Sequence, residues 1–218
     1  MKFKKLHPWN LNPQQAISLQ NKLRKNLRFR KFQGYANLIA GADVSFKENK
    51  AIAAVVVCSY PDFKIMERLR SIDKISYPYI PGLLTFREGP VLEKCFKALK
   101  HEPDIIIFDG QGIAHPRNMG IATHMGILLD KPTIGCAKTR LYGEYKEPPR
   151  NRGAFSYLFN KERRIGAVLR TRTDVKPVFV SPGYKMDIEN CIKLILMCTG
   201  KYRIPQPLRL AHQFANLQ

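Results

Sequence analysis

The stretch Ile105-Ile106-Ile107-Phe108-Asp109-Gly110-Gln111-Gly112-Ile113-Ala114-His115-Pro116-Arg117 constrains the fold more than any other part of the chain. Four apolar residues in a row, three of them β-branched, are what a strand buried on both faces needs, and such strands belong to parallel, helix-covered sheets. The run ends on a carboxylate and then crosses two glycines. Glycine permits close backbone approach and positive φ, so Gly110 and Gly112 read as a strand-to-helix corner. Open α/β sheets bind ligands beyond the carboxyl ends of their strands, which is where Asp109 falls. The plain alternative is that Asp109 only caps the next turn or helix, because Asp is common at such corners.

The flanking segments are read from periodicity and punctuation. Asn12 before Pro13 marks a helix start, and Ala16, Leu19, Leu23 and Leu27 share one face of that helix. Lys22, Arg24, Lys25 and Arg28 lie elsewhere on it, and the basic run continues through Arg30 and Lys31. That run is either a solvated face or a phosphate-contacting one. Residues 38–46 and 51–58 predict two strands joined by a short turn, hence an antiparallel hairpin, with a third strand over residues 64–70. Residues 78–84 hold too much Pro and Gly for a helix or a central strand. Thr85 and Glu88 have capping-box spacing, while Pro90 favours a later helix start that would free Glu88 for chemistry; both remain open. A helix over 119–129 and a strand over 131–138 come after the central strand. A helix-length crossover implies parallel pairing and sets Lys138 beside Asp109. Alternating Phe155, Tyr157 and Phe159 and a return over 165–169 predict a second hairpin. Asp187 then caps a helix stopped by Gly200, and residues 208–214 form a last helix. The expectation is one α/β domain over residues 1–218, a mixed sheet flanked by helices.

Charge narrows the partners. Lys and Arg number 37 against 17 Asp and Glu, a net charge of +20 in 218 residues, which suits nucleic acid; an anionic membrane surface or ribosomal packing would also accept it. No 18-residue apolar span predicts a membrane helix, and the N-terminus lacks the apolar core of a signal peptide. Five scattered cysteines without a CxxC pair predict reduced core residues and a cytoplasmic setting. Cys191 and Cys198 share a helical face but lack two further partners for zinc.

Three carboxylates occupy unusual places: Asp43 inside a strand, where Asp is disfavoured, Glu88 at a helix entrance and Asp109 at a strand end. Converging carboxylates repel unless a cation lies between them. Mg²⁺ favours oxygen ligands and retains waters, so it suits hydrolysis of a phosphodiester, with Mn²⁺ as a substitute. A lysine such as Lys138 beside these acids suits phosphate.

Residues 77–88, Tyr-Pro-Tyr-Ile-Pro-Gly-Leu-Leu-Thr-Phe-Arg-Glu, and residues 108–117, Phe-Asp-Gly-Gln-Gly-Ile-Ala-His-Pro-Arg, resemble the signature blocks of endonuclease V. Residues 41–46, 135–143 and 209–212 match further blocks, in order, and the likeness is to the bacterial form. The resemblance implies a ribonuclease-H-like fold and cleavage of DNA near deaminated bases, chiefly deoxyinosine. The cut would fall at the second phosphodiester bond on the 3′ side, leaving 3′-hydroxyl and 5′-phosphate ends. It implies Asp43, Glu88 and Asp109 as metal-binding catalytic carboxylates, Lys138 near the scissile phosphate, and His212 and His115 as active-site histidines. Tyr79, Ile80 and Pro81 would belong to a wedge that fills the space left by the extruded lesion. Gly82, Leu84, Gly110, Gly112, Gly120, Ile121 and Leu141 would line the pocket that receives the base. Unstacking a base costs a few kcal/mol, which a stiff apolar insertion partly offsets. Tyr184 departs from the histidine that comes after Ser-Pro-Gly in many relatives.

The expected partner is DNA carrying deoxyinosine or another deaminated base, bound by a monomer, with no membrane involved. An inosine-specific endoribonuclease is the alternative within catalysis. A non-catalytic nucleic-acid binder or a ribosome-associated protein is the alternative outside it. Intact Asp43, Glu88, Asp109 and Lys138 argue against the binder, since a pure binder has no need to gather acids against phosphate, and the ribosome-associated reading ranks last.

Overall fold

The computed structural model describes residues 1–29, 32 and 35–217. Its centre is β4 (Ile105–Phe108), whose four side chains are at most 1% exposed. Ile106 and Phe108 face one way and Ile105 and Ile107 the other, each pair joining a separate apolar cluster. This is the two-sided burial that the uninterrupted apolar run predicts.

Parallel neighbours flank β4 on both sides: β1 (Leu38–Lys47) and β5 (Thr133–Ala137). β1 forms an antiparallel hairpin with β2 (Lys50–Ser59), and β3 (Ile65–Lys74) adds to its edge. On the other wing, β8 (Val178–Tyr184), β7 (Arg163–Leu169) and β6 (Phe155–Asn160) succeed β5 in antiparallel order. Among the described residues the sheet thus has eight strands in the order β3-β2-β1-β4-β5-β8-β7-β6. The mixed, helix-flanked α/β sheet is present as expected. The third strand is longer than the sequence indicates, running to Lys74.

α2 (Leu84–Ala98) and α3 (Ile121–Leu129) pack on the Ile106/Phe108 face. α4 (Ile188–Met197) packs on the other, where α5 (Gln206–Ala215) adds Leu208. α1 (Pro13–Leu23) begins at a capping box formed by Asn12 and Gln15, with Pro13 at its first position. It ends before Leu27, in a 3₁₀ turn over Arg24–Asn26, while Lys22, Arg24, Lys25 and Arg28 are exposed. Arg30 and Lys31 lie outside the described residues. Among the described residues no helix is long and apolar enough to cross a membrane.

Both sequence readings of the α2 start are corrected. The helix begins at Leu84 after a Leu83 cap that makes no side-chain hydrogen bond, Thr85 lies inside it and Pro90 is interior. Pro90 has no N–H to offer the Phe86 carbonyl, a cost of ~3 kcal/mol. Leu83 and Phe86, at most 1% exposed and packed with Ala16 and Tyr77, contribute roughly 1.5–3 kcal/mol each by burial and offset it.

Candidate active site

Gly41 decides how α5 meets the sheet. It shares a face of β1 with Asp43, two residues on, and a Cβ there would fall 2.2 Å from the Pro207 carbonyl carbon and oxygen. Without that Cβ, α5 lies directly on β1, and His212 Nδ1 comes within 2.6 Å of Asp43 Oδ2. Asp109 comes directly after β4, and its N–H donates to the Ala42 carbonyl at 3.1 Å, so it sits next to the strand that carries Asp43. Lys138 comes directly after β5 and its Nζ lies 2.6 Å from Asp109 Oδ2. Glu88 reaches the same place from the first turns of α2.

Ligand atoms of Asp43, Asp109 and His212 all lie within 4.8 Å of one another. Among the described residues, Glu88 is not part of that group, yet it feels both acids. Burial raises its carboxyl to about 8, and the charges of Asp43 and Asp109 add to the shift against a weaker pull from Arg87. Burial also raises Asp109, with Asp43 adding to it and Lys138 and His212 opposing. Negative charge is therefore crowded beyond what one lysine neutralises, and a bound cation inverts that balance. Carboxylate oxygens with one imidazole nitrogen fit a hard or borderline divalent ion, so the donor set fits the expected metal.

Glu88, Asp109 and Lys138 also line a cavity of about 550 Å³. Tyr79, Gly82 and Leu84 form part of its wall from the segment leading into α2, and Gly110, Gly120, Ile121 and Leu141 contribute from the loops after β4 and β5 and the start of α3. Tyr79 is 68% exposed. Ile80 and Pro81 are not part of the wall, and Ile80 packs against the Ala16, Tyr77, Leu83 and Phe86 cluster. Gly112, expected in the pocket, is turned away from it: its N–H donates to Ser181 Oγ at 2.8 Å and its Cα abuts the Pro182 carbonyl.

His115 reaches the cavity wall in a form that argues against proton transfer. Nε2–H donates to the Gly82 carbonyl at 3.0 Å, and Nδ1 accepts the N–H groups of Arg117 and Met119 at 3.1 and 3.3 Å. Desolvation, reinforced by the Arg117 charge, depresses its pKa to about 4. In this arrangement the imidazole is neutral with both nitrogens engaged, so His115 holds the Gly82 wall of the cavity that it lines. Tyr184 is buried against Leu23, Met119 and Ile127, a packing position apart from the acids.

Two contributors escaped the sequence reading. Gln20 of α1 is wholly buried and its amide donates to Gly82 and Met119 carbonyls. Its signal was a polar residue between Ala16 and Leu23 on an otherwise apolar helix face. Ser181, which holds the Gly112 corner, gave no signal of its own.

A family model described as endonuclease V matches residues 18–213. An endonuclease V of Methanothrix thermoacetophila is 48% identical over 212 residues, 97% of this chain and 94% of that protein. The crystal structure of the Bacillus subtilis endonuclease V superposes with a TM-score of 0.94 at 31% identity, covering 99% of this chain and 95% of that one. A Ciona intestinalis endonuclease V, solved with a DNA 24-mer containing an inosine followed by a ribo-adenosine, gives 0.81 at 26% identity over 93% and 95% of the two chains. The fold is thus ribonuclease-H-like, and on the match of sequence, topology and acidic cluster together the chain belongs to the endonuclease V family.

Proposed function

We propose that the protein is a metal-dependent DNA repair endonuclease that recognises deaminated bases, chiefly deoxyinosine, and hydrolyses the second phosphodiester bond on the 3′ side. One observation carries this reading: Glu88, Asp109 and Lys138 line the same cavity as the glycine walls and Tyr79. A base lodged in that cavity holds its own strand against the acids. Tyr79, Ile80 and Pro81 enter the stack as a wedge, and Gly82, Leu84, Gly110, Gly120, Ile121 and Leu141 contact the extruded base.

Asp43, Glu88 and Asp109 would hold Mg²⁺ or its substitute Mn²⁺, with His212 beside Asp43. The ion, when bound, supplies charge stabilisation and a water of lowered pKa. Lys138 offsets the charge of Asp109 until the phosphate arrives, then faces the phosphate oxygens. His212 fixes the orientation of Asp43 through its 2.6 Å contact. Water adds to phosphorus as the bond to the 3′ oxygen breaks, leaving 3′-hydroxyl and 5′-phosphate ends. The chain acts as one domain over residues 1–218, as a monomer, in the cytoplasm, a setting that suits five buried, unpaired cysteines.

An inosine-directed ribonuclease is the second reading, favoured by the ribo-adenosine beside inosine in the Ciona relative's structure. Single-turnover cleavage of matched DNA and RNA strands carrying one inosine, with Mg²⁺, separates the two. A nick one nucleotide beyond the inosine in DNA, abolished by EDTA and by Asp109→Ala, is the expected result. Much faster RNA cleavage transfers the protein to RNA metabolism. Tight binding without a cut in either overturns the enzymatic reading.

A further inference from the structure

Gln20 lies behind the cavity rather than in its wall, wholly buried on the apolar face of α1. A buried amide is tolerated only where its donors and acceptor are used, and here all three directions are. Nε2 donates to the Gly82 carbonyl at 3.0 Å and to the Met119 carbonyl at 3.3 Å, and Oε1 accepts from Arg117 Nε at 2.5 Å. Arg117 can only donate, which fixes which end of the amide is which.

The two carbonyls belong to separate segments of the cavity wall. Gly82, at φ +79°, closes the Tyr-Ile-Pro-Gly segment ahead of α2. Met119 precedes Gly120 and Ile121 at the start of α3. Both line the cavity. The Gly82 oxygen is held by three donors: Gln20, His115 Nε2 and Arg117 NH2 at 2.8 Å. His115 and Arg117 reach across from the loop on the Met119 side, and of the three donors Gln20 is the one that comes from outside both walls.

We infer that Gln20 is a positioning residue that sets the spacing between the two walls of the base cavity and thereby the discrimination between a deaminated base and an ordinary one. The inference rests on the proposed function and adds to it a specificity element outside the signature blocks. Its position explains how α1, which offers nothing to the acidic cluster, takes part in recognition. With the amide gone, the Gly82 carbonyl keeps its two donors from the Met119 side, His115 and Arg117, while the third tie between the walls and the acceptor for Arg117 Nε are lost. The spacing of the walls then rests on His115 and on an Arg117 whose Nε has lost its acceptor, and the contacts that separate hypoxanthine from adenine or guanine lose register.

The test compares wild type, Gln20→Ala and Gln20→Glu on a duplex with one inosine and on the same duplex without it, measuring single-turnover cleavage and anisotropy binding in Ca²⁺. Gln20→Glu keeps an acceptor for Arg117 but loses both donors to the carbonyls. Both variants should raise KM for the inosine duplex about tenfold to a hundredfold, lower kcat by less than about threefold, and leave affinity for undamaged DNA unchanged. A merely structural role would lower binding to both duplexes equally or reduce the active fraction, and that result overturns the inference. So does Gln20→Glu behaving as wild type, since Arg117 alone would then suffice. If wild type itself shows no preference for inosine, the proposed function falls and this inference with it. If wild type prefers inosine and Gln20→Ala does so equally, only the inference falls.

Discussion

His115 shows how a single histidine can be conspicuous in sequence and yet do structural work. It is 2% exposed and spends both nitrogens on backbone groups, so its neutral form is the one the fold accepts. Its pKa of about 4 lies below the unfolded value near 6.5. The unfolded chain therefore binds the extra proton first, and the stability that depends on neutral His115 is complete above about pH 6.5 and is lost as pH falls toward 4. Between pH 7 and pH 5 that loss is about 2 kcal/mol. His115→Gln keeps a donor for the Gly82 carbonyl and cannot titrate. Urea denaturation at the two pH values should show wild type losing about 2 kcal/mol more than the variant. Equal losses would mean the ring is not held neutral. The acids behave oppositely to sequence intuition as well: Asp109 and Glu88 are legible as isolated carboxylates, but the upward shift of both arises first from burial and then from the charge of acids distant in sequence.

At the level of elements, the contact between β1 and α5 is the sharpest constraint. Gly41→Ala would put a methyl group 2.2 Å from the Pro207 backbone, so α5 must move away and His212 must leave Asp43. Overpacking of this kind costs about 1–3 kcal/mol, and the cleavage rate should fall much further than stability, measured as denaturation midpoint against single-turnover rate. A variant that is destabilised yet fully active would separate α5 from the site. The central strand, the first hairpin and the α4 cap at Asp187 were readable because each arises from local pattern. β8 was not recognised as a strand, because Pro182 argues against a central strand. Its pairing with β7 stops at Val180, and a register shift lies where Pro182 faces Ile134, so the missing N–H interrupts little. The start of α2 was hidden for a related reason: Pro90 dominates the local signal, while the burial of Leu83 and Phe86 depends on α1, far away in sequence.

For the whole molecule, the +20 charge belongs to association rather than to fold. If six to ten phosphates are contacted, affinity for undamaged duplex should fall roughly 10³–10⁵-fold between 50 and 200 mM salt, and fluorescence anisotropy across that range gives the slope. A shallow slope would place most of the lysines and arginines away from the DNA. The cavity itself was legible only through family likeness, because its walls come from three separate segments that no periodicity links. One of its consequences concerns time. Asp43 and His212 are 169 residues apart, and chains emerge during synthesis at about 5–20 residues per second. The imidazole thus reaches Asp43 roughly 10–30 seconds after that carboxylate has left the ribosome. Until then the nascent chain carries its acids without α5 against them, so a nuclease of this design is assembled late at the point where it cuts.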